Sequence, residues 1–140
     1  MNAGSIFFDK KFHFHDGQDG EKLFVALGTK DSVIVVAKTT SRQHTKGTVH
    51  GCQPNDRFHN FYLPKGCCYL SLCTWICLDE FYELKFTDVL QKKFTGQIIH
   101  ICDLPQEMIR PLQDCALQSL DISPFQEEVI KNSLVDSPSP

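Results

Sequence analysis

The sequence predicts a small, mainly β protein: an antiparallel barrel closed by a C-terminal helix. The strongest single observation is Val33-Ile34-Val35-Val36, four β-branched apolar residues in a row bounded by polar residues, which read as a strand buried on both faces. Other short runs, apolar or alternating, are separated by clusters rich in Gly, Pro and Asp, and a helical period comes only late. The chain has no internal repeat and no regular strand–helix alternation, which argues against a parallel βαβ sheet.

Taken in order, residues 1–5 (Met1 to Ser5) read as a loose start. Lys11 to His15 alternates, with Phe12 and Phe14 turned to the core and Lys11, His13 and His15 to the other face. Asp16-Gly17-Gln18-Asp19-Gly20 is a turn by composition. Leu23 to Leu27 is the second strand, and Gly28 to Asp31 turns it into the central one as a tight antiparallel pair. Gln43 to Arg57 has no period and forms the longest irregular insertion, the kind of loop that often carries function.

Phe58 to Leu63 is a further strand, closed by Pro64-Lys65-Gly66. Cys67 to Leu72 reads as a short strand or a connection. Thr74 to Leu78 is the second strong strand; Phe81 to Leu84 fits either a helical turn or a strand. Phe86 to Leu90 is amphipathic, and Phe94 to Ile101 is the last strand. Asp103-Leu104-Pro105 has the grammar of a helix start. Interior Pro111 would cost a regular helix about 3 kcal/mol, so the expectation is a turn at 105–109 and the main helix from Arg110 to Gln118. The domain then spans 1–122, and 123–140 is a tail with its last residues, Asp136 to Pro140, disordered.

The chain has 140 residues, 41% hydrophobic and 22% charged, which fits one globular domain with a real core. Eleven phenylalanines against two methionines suit an aromatic, strand-built core. A formal net charge of −3 gives no general pull toward nucleic acid, so RNA binding requires a local basic patch. There is no membrane-length apolar run and no basic-then-apolar leader, so the expectation is a cytoplasmic protein with no membrane contact. Seven cysteines are then expected as reduced thiols, several packed as small hydrophobes.

The central strand ends in Thr39-Thr40-Ser41-Arg42. A buried strand is a rigid mount, so these hydroxyls and the guanidinium can be held toward an anion such as phosphate. The plainer alternative is a strand that ends in polar residues where it meets water.

The order of landmarks resembles the PemK/MazF-like proteins over roughly residues 10–120. These are a turn, a strand led by a basic residue, the buried strand ending Thr-Ser-Arg, a long loop, the strand Thr74-Trp75-Ile76-Cys77-Leu78-Asp79, a Gly-led strand and a closing helix. The resemblance implies an SH3-like barrel, commonly a homodimer and the toxin of a toxin–antitoxin pair. It also implies endoribonuclease cleavage of single-stranded RNA without a metal or other cofactor. Carried over by position, Thr40 corresponds to the threonine that helps stabilise the cleaved phosphate, followed by Ser41 and Arg42. Lys22, in Glu21-Lys22-Leu23, stands where the family has an arginine before a proline. Arg110-Pro111 lies too late to be that pair. The family's Gly-x-Glu in the first loop is absent.

Lysine supplies a point charge where arginine would clamp a phosphate with two bonds. The candidate catalytic residues are therefore Thr40, Lys22 and Arg42. Thr39, Ser41, His13, His15 and His44 are candidates for RNA binding, the histidines because they titrate near neutral pH. Each histidine fits a solvated strand face equally well.

His50, Cys52, His59, Cys67, Cys68 and Cys73 concentrate soft metal ligands, but His-x-Cys and Cys-Cys send neighbouring side chains to opposite faces. The spacing favours packed, reduced thiols over zinc, and Cys102 and Cys115 also read as core. Among aromatics able to stack a base, Trp75 and Phe94 read as core and Tyr82 as an edge residue. Three functions fit: a toxin-like endoribonuclease, a non-catalytic barrel binding RNA or a protein partner such as an antitoxin, and a cysteine-rich interaction module.

Overall fold

The computed structural model describes residues 1–67 and 70–136. In chain order the elements are β1 (Ser5–His13), β2 (Asp19–Lys30), β3 (Val33–Thr40), β4 (Gly51–Gln53), β5 (Asn60–Leu63), β6 (Thr74–Cys77) and β7 (Tyr82–Lys85). They continue with α1 (Phe86–Phe94), β8 (Ile98–Asp103), α2 (Gln106–Leu117) and α3 (Pro124–Asn132). The fold is mainly β, as expected. The strands form an open antiparallel sheet in the order β4-β5-β6-β3-β2-β1-β8, with β7 added on β3.

The centre of the sheet is the β2–β3 hairpin. Asp31 and Ser32 both adopt positive φ, 50° and 66°, the two-residue geometry whose twist matches that of the strands it joins. Along its other side, β3 pairs with β7 over Val33–Val36 and with β6 at Thr39 and Thr40. One strand thus belongs to two sub-sheets and is covered from both faces. Val35 and Ala37 pack into a core shared with α2 and α3, while Ile34 and Val36 pack into an aromatic core with Phe7, Phe12, Phe24 and Tyr82. The sequence expectation of a strand buried on both faces holds.

Besides β4, which lies inside the insertion expected to be irregular, four segments differ from the expectation. The first residues are tied down: Gly4 N–H donates to Ala26 O at 2.8 Å, and Leu104 N–H donates to Gly4 O at 2.9 Å. Phe86–Phe94 is a complete helix, so helices are not confined to the end of the chain. Helix α2 starts at Gln106 and runs through Pro111. The carbonyl that Pro111 leaves without an intrahelical partner is offset by an apolar face of Ile109, Leu112, Cys115 and Ala116, all buried.

The fourth segment is the expected tail, which contains α3. Ser123 Oγ accepts from Gln126 N–H at 3.1 Å and Ser123 N–H donates to Gln126 Oε1 at 2.9 Å, a reciprocal cap with Pro124 in the first turn. Val129 and Ile130 are fully buried against the sheet. The approach is close enough to require glycine at position 28, where a Cβ would lie 2.9 Å from Val129 O and 3.0 Å from Ile130 Cα. The Ser/Pro/Glu-rich stretch reads as a tail in which Phe125, Val129, Ile130 and Leu134 could bind something, and Val129 and Ile130 do so by packing into the core of this same chain. Residues 137–140, within the stretch expected to be disordered, lie outside the described residues, as do Cys68 and Tyr69.

The cysteines also depart from expectation. Cys52 on β4 and Cys115 on α2 are joined in a disulfide across 63 positions of sequence, and Cys102 is disulfide-bonded as well. Cys115 and Cys102 are therefore not reduced core thiols here. Cys67, Cys73 and Cys77 are free. Among the described residues no helix is long and apolar enough to cross a membrane.

Candidate functional site

The hairpin register pairs Phe24 with Lys38, and one step further Thr39 Oγ donates to Leu23 O at 3.0 Å. That alignment brings Lys22, near the start of β2, beside Thr40, the last residue of β3. The two residues separate a pair of open hollows and line both. The first, about 300 Å³, is bounded by Glu21, Thr39, Ser41, Leu70, Leu72 and Thr74. The second, about 410 Å³, is bounded by Lys38, His44, Lys46, Phe58, Asp79 and Glu80, with Cys77 also in its wall. Both volumes fall at the low end of the ~300–1,000 Å³ typical of small-molecule clefts.

The cleft is crowded with charge. Partial burial pushes the Lys22 ammonium below its ordinary range despite the nearby Cys77, and the positive charges of Lys38 and Arg42 lower it further. Among the described residues Lys22 has no ion-pair partner. Burial also works against the charge on Lys38, but its hydrogen bond and ion pair with Glu80 outweigh this and hold it above the usual lysine range. Burial raises the Asp79 carboxyl and the Cys77 thiol. Thr40 Oγ accepts from Arg42 N–H at 3.1 Å, which leaves the hydroxyl proton free to donate.

The long insertion forms the rim and is not loose. Gly47 O accepts from Gln53 Nε2 and Trp75 Nε1, each at 2.9 Å, and Gly47 N–H donates to Asp56 Oδ2 at 2.8 Å. Gln53 Nε2 also reaches Asn60 Oδ1 at 2.8 Å. A Cβ at residue 47 would meet Gln53 Oε1 at 2.5 Å, so this network needs glycine there. Just before it, His44 and Thr45 adopt positive φ, 44° and 68°. That conformation is costly for a β-branched residue, and here it turns the chain so that His44 and Lys46 both reach the second hollow. Phe58 lies between two cations, Lys46 at 5.7 Å and Arg57 at 5.3 Å from the ring centre.

Of the residues singled out from sequence, Lys22, Thr39, Thr40 and Ser41 meet in the first hollow, and His44 joins Lys22 and Thr40 in the second. Arg42 is exposed and lines neither hollow, although its charge acts on Lys22. His13 is elsewhere: it bonds Asp19 at 2.7 Å and lines a separate hollow with Glu83 and Asp88. His15 lies flat on Tyr82, ring centres 3.9 Å apart, with Nε2 2.8 Å from Phe81 O.

Lys38, Lys46, Phe58, Asp79 and Glu80 complete the cleft and were not singled out from sequence. Lys38 was accessible to that reasoning, since it lies two residues before Thr40 and so on the same strand face. Lys46 sits in a loop with no period, where no pattern could place it, and Phe58, read as the start of a strand, lies just before β5. The aromatic readings are also corrected. Tyr82 is 5% exposed and belongs to the core, and Phe94 is 93% exposed; Trp75, at 4%, is core as expected.

No protein-family model matches this chain, and no curated protein sequence matches it.

Proposed function

We propose that the chain is a divergent PemK/MazF-like protein, an SH3-like barrel that binds single-stranded RNA and cleaves it as an endoribonuclease. The observation that carries this reading is the position of Lys22 and Thr40 between two hollows, each lined by both residues. A phosphodiester lying over them would place one nucleotide on either side. The Lys22 ammonium and the Thr40 hydroxyl then face the non-bridging oxygens, where charge grows as the phosphorane forms. Asp79, its carboxyl held high by burial, takes the proton of the attacking 2′-hydroxyl. The 5′-oxygen leaves towards the first hollow, which is open to solvent, and takes its proton from a water molecule there, leaving hydroxide to neutralise the proton held by Asp79. The products are a 2′,3′-cyclic phosphate and a 5′-hydroxyl. Phe58 offers a base a stacking face. In this reading the protein works as a homodimer, with an antitoxin covering the cleft.

A second reading, RNA or protein binding without cleavage, is favoured by one specific feature. Glu21, Asp79 and Glu80 place carboxylates in the same two hollows, and these repel phosphate. A single experiment separates the two. Purified full-length chain is incubated with end-labelled single-stranded RNA, and fragments and binding are both measured. Cleavage that leaves cyclic phosphate ends, slowed about 10²–10³-fold by Thr40→Ala and Lys22→Ala, supports the enzyme. Retention of RNA without fragments supports the binding module. Neither binding nor fragments would overturn both RNA readings.

A further inference from the structure

Next to the second hollow, which shares Phe58 and Asp79 with the hollow at His59, three elements bring soft metal ligands together. Cys52 comes from β4, His59 from the residue preceding β5 and Cys115 from α2, and their ligand atoms all lie within 4.8 Å of one another. The disulfide accounts for the two cysteines, and His59 is held beside them by a hydrogen bond from Nε2 to Cys115 O at 2.6 Å. His59 Nε2 sits 3.6 Å from Cys115 Sγ. A tetrahedral zinc with Zn–S of ~2.3 Å and Zn–N of ~2.0 Å holds its sulfur and nitrogen ligands ~3.5 Å apart. His59 therefore already stands at a zinc ligand's distance from one of the two sulfurs.

We propose that Cys52, His59 and Cys115 form a redox-gated zinc site, closed while the sulfurs are bonded to each other and open once they are reduced. A dithiol reductant gives two electrons and two protons to the Cys52–Cys115 bond, yielding two thiols and its own cyclic disulfide. Zinc then displaces both thiol protons and binds two thiolates and the imidazole. To do so the sulfurs move apart to the ~3.8 Å that two thiolates on one tetrahedral zinc require. In the oxidised state Nε2–H is directed at Cys115 O, 2.6 Å away. On binding metal, Nε2 gives up that bond and the ring carries its proton on Nδ1. The fourth position is open to water, because His59 also lines an accessible hollow of about 450 Å³ with Asp56 and Asp121.

Two thiolates and one imidazole suit zinc rather than a hard cation. The consequence is an exchange of staples. Either a disulfide or a metal ties α2 to the small sub-sheet, so the reducing conditions that cut the first create the second.

The test uses the full chain without a histidine tag, oxidised or reduced with a dithiol and then freed of reductant without air. Zinc uptake is measured by competition with a chromophoric chelator, and cobalt serves as a spectroscopic probe. The reduced chain is expected to take up one zinc and the oxidised chain none. Cobalt should give the charge-transfer bands of thiolate ligation. His59→Gln keeps both cysteines and should weaken uptake at least tenfold, as should Cys52→Ser. Replacing Cys67, Cys73 and Cys77 by alanine should leave uptake intact. Three results would each overturn the proposal: no zinc on the reduced chain, uptake unchanged by His59→Gln, or a reduced chain whose circular dichroism is lost and not restored by zinc.

Discussion

The two ends of the β2–β3 hairpin are built from the same pair of strands and are treated in opposite ways. At the turn end several polar groups of the strands are answered by side chains of α2 and α3 and the residues that follow α3. Thr29 N–H donates to Ser133 Oγ at 2.8 Å, Ser133 Oγ in turn donates to Thr29 O at 2.8 Å, and Asn132 Nδ2 donates to the same oxygen at 3.2 Å. Gln113, fully buried, donates to Leu27 O and Ser133 O and accepts from Val135 N–H. Lys30 pairs with Glu128. At the other end Lys22 lies partly buried with two further cations acting on it and, among the described residues, no carboxylate paired to it. One end is tied together by its own hydrogen bonds, and the other leaves Lys22 without an ion pair among the described residues.

The largest effect expected from this contrast is on stability at the closed end. Ile130→Ala removes a fully buried side chain from the α3–sheet contact and should cost about 2–5 kcal/mol, close to unfolding for a domain of ordinary stability. Thr40→Ala at the open end should cost under about 1 kcal/mol, the worth of one weak hydrogen bond, while slowing any RNA cleavage about 10²–10³-fold. Chemical denaturation of both variants checks the pair. Equal losses at the two ends would remove the distinction.

This contrast also explains what was legible in the sequence. Val33 to Val36 announced itself because a strand covered on both faces must be apolar throughout, and its polar end marked Thr40. Lys22 emerged only from the resemblance, since a lone lysine carries no pattern. Helix α3 was obscured because its cap and its solvent face use the residues that compose disordered tails. The spacing Val129, Ile130 shows burial only once Gly28 is known to leave room for it. Cys115 lies 63 positions from Cys52, and pairing at that range is set by how α2 crosses the small sub-sheet, which local pattern does not encode.

An effect of intermediate size concerns pH. RNA retention should depend on the charged form of Lys22, whose folded-state range lies below the ordinary value of 10.5 because of burial and neighbouring cations. As pH rises through that lowered range the ammonium is lost, so affinity should fall at a pH where ordinary surface lysines still hold their protons. Folding stability moves the other way. Between the lowered value and 10.5 the unfolded chain binds the extra proton, so this residue makes the fold relatively more stable as pH rises. Lys22→Arg should keep its charge and flatten the alkaline fall in RNA retention. A fall unchanged in that variant would place the titrating group elsewhere.

The smallest expected effect is the sharpest, because one substitution should move two properties in opposite directions. Burial holds the Asp79 carboxyl above its ordinary 3.8. The folded chain therefore keeps this proton where the unfolded chain has released it. The resulting stabilisation is full below the unfolded value and is lost as pH rises through the folded one, after which a carboxylate is held where it is poorly solvated. Asp79→Asn removes that penalty. At neutral pH it should raise Tm by about 1–3 °C, a modest gain because the site is half open to solvent and screened. At acid pH, with the wild-type carboxyl protonated, the difference should vanish. If Asp79 also takes the proton of the 2′-hydroxyl, the variant that is more stable at pH 7 is the one that no longer cuts RNA. A variant that is less stable at neutral pH would show that the cleft's lysines repay the carboxylate's burial, and the open end would then be as self-satisfied as the closed one.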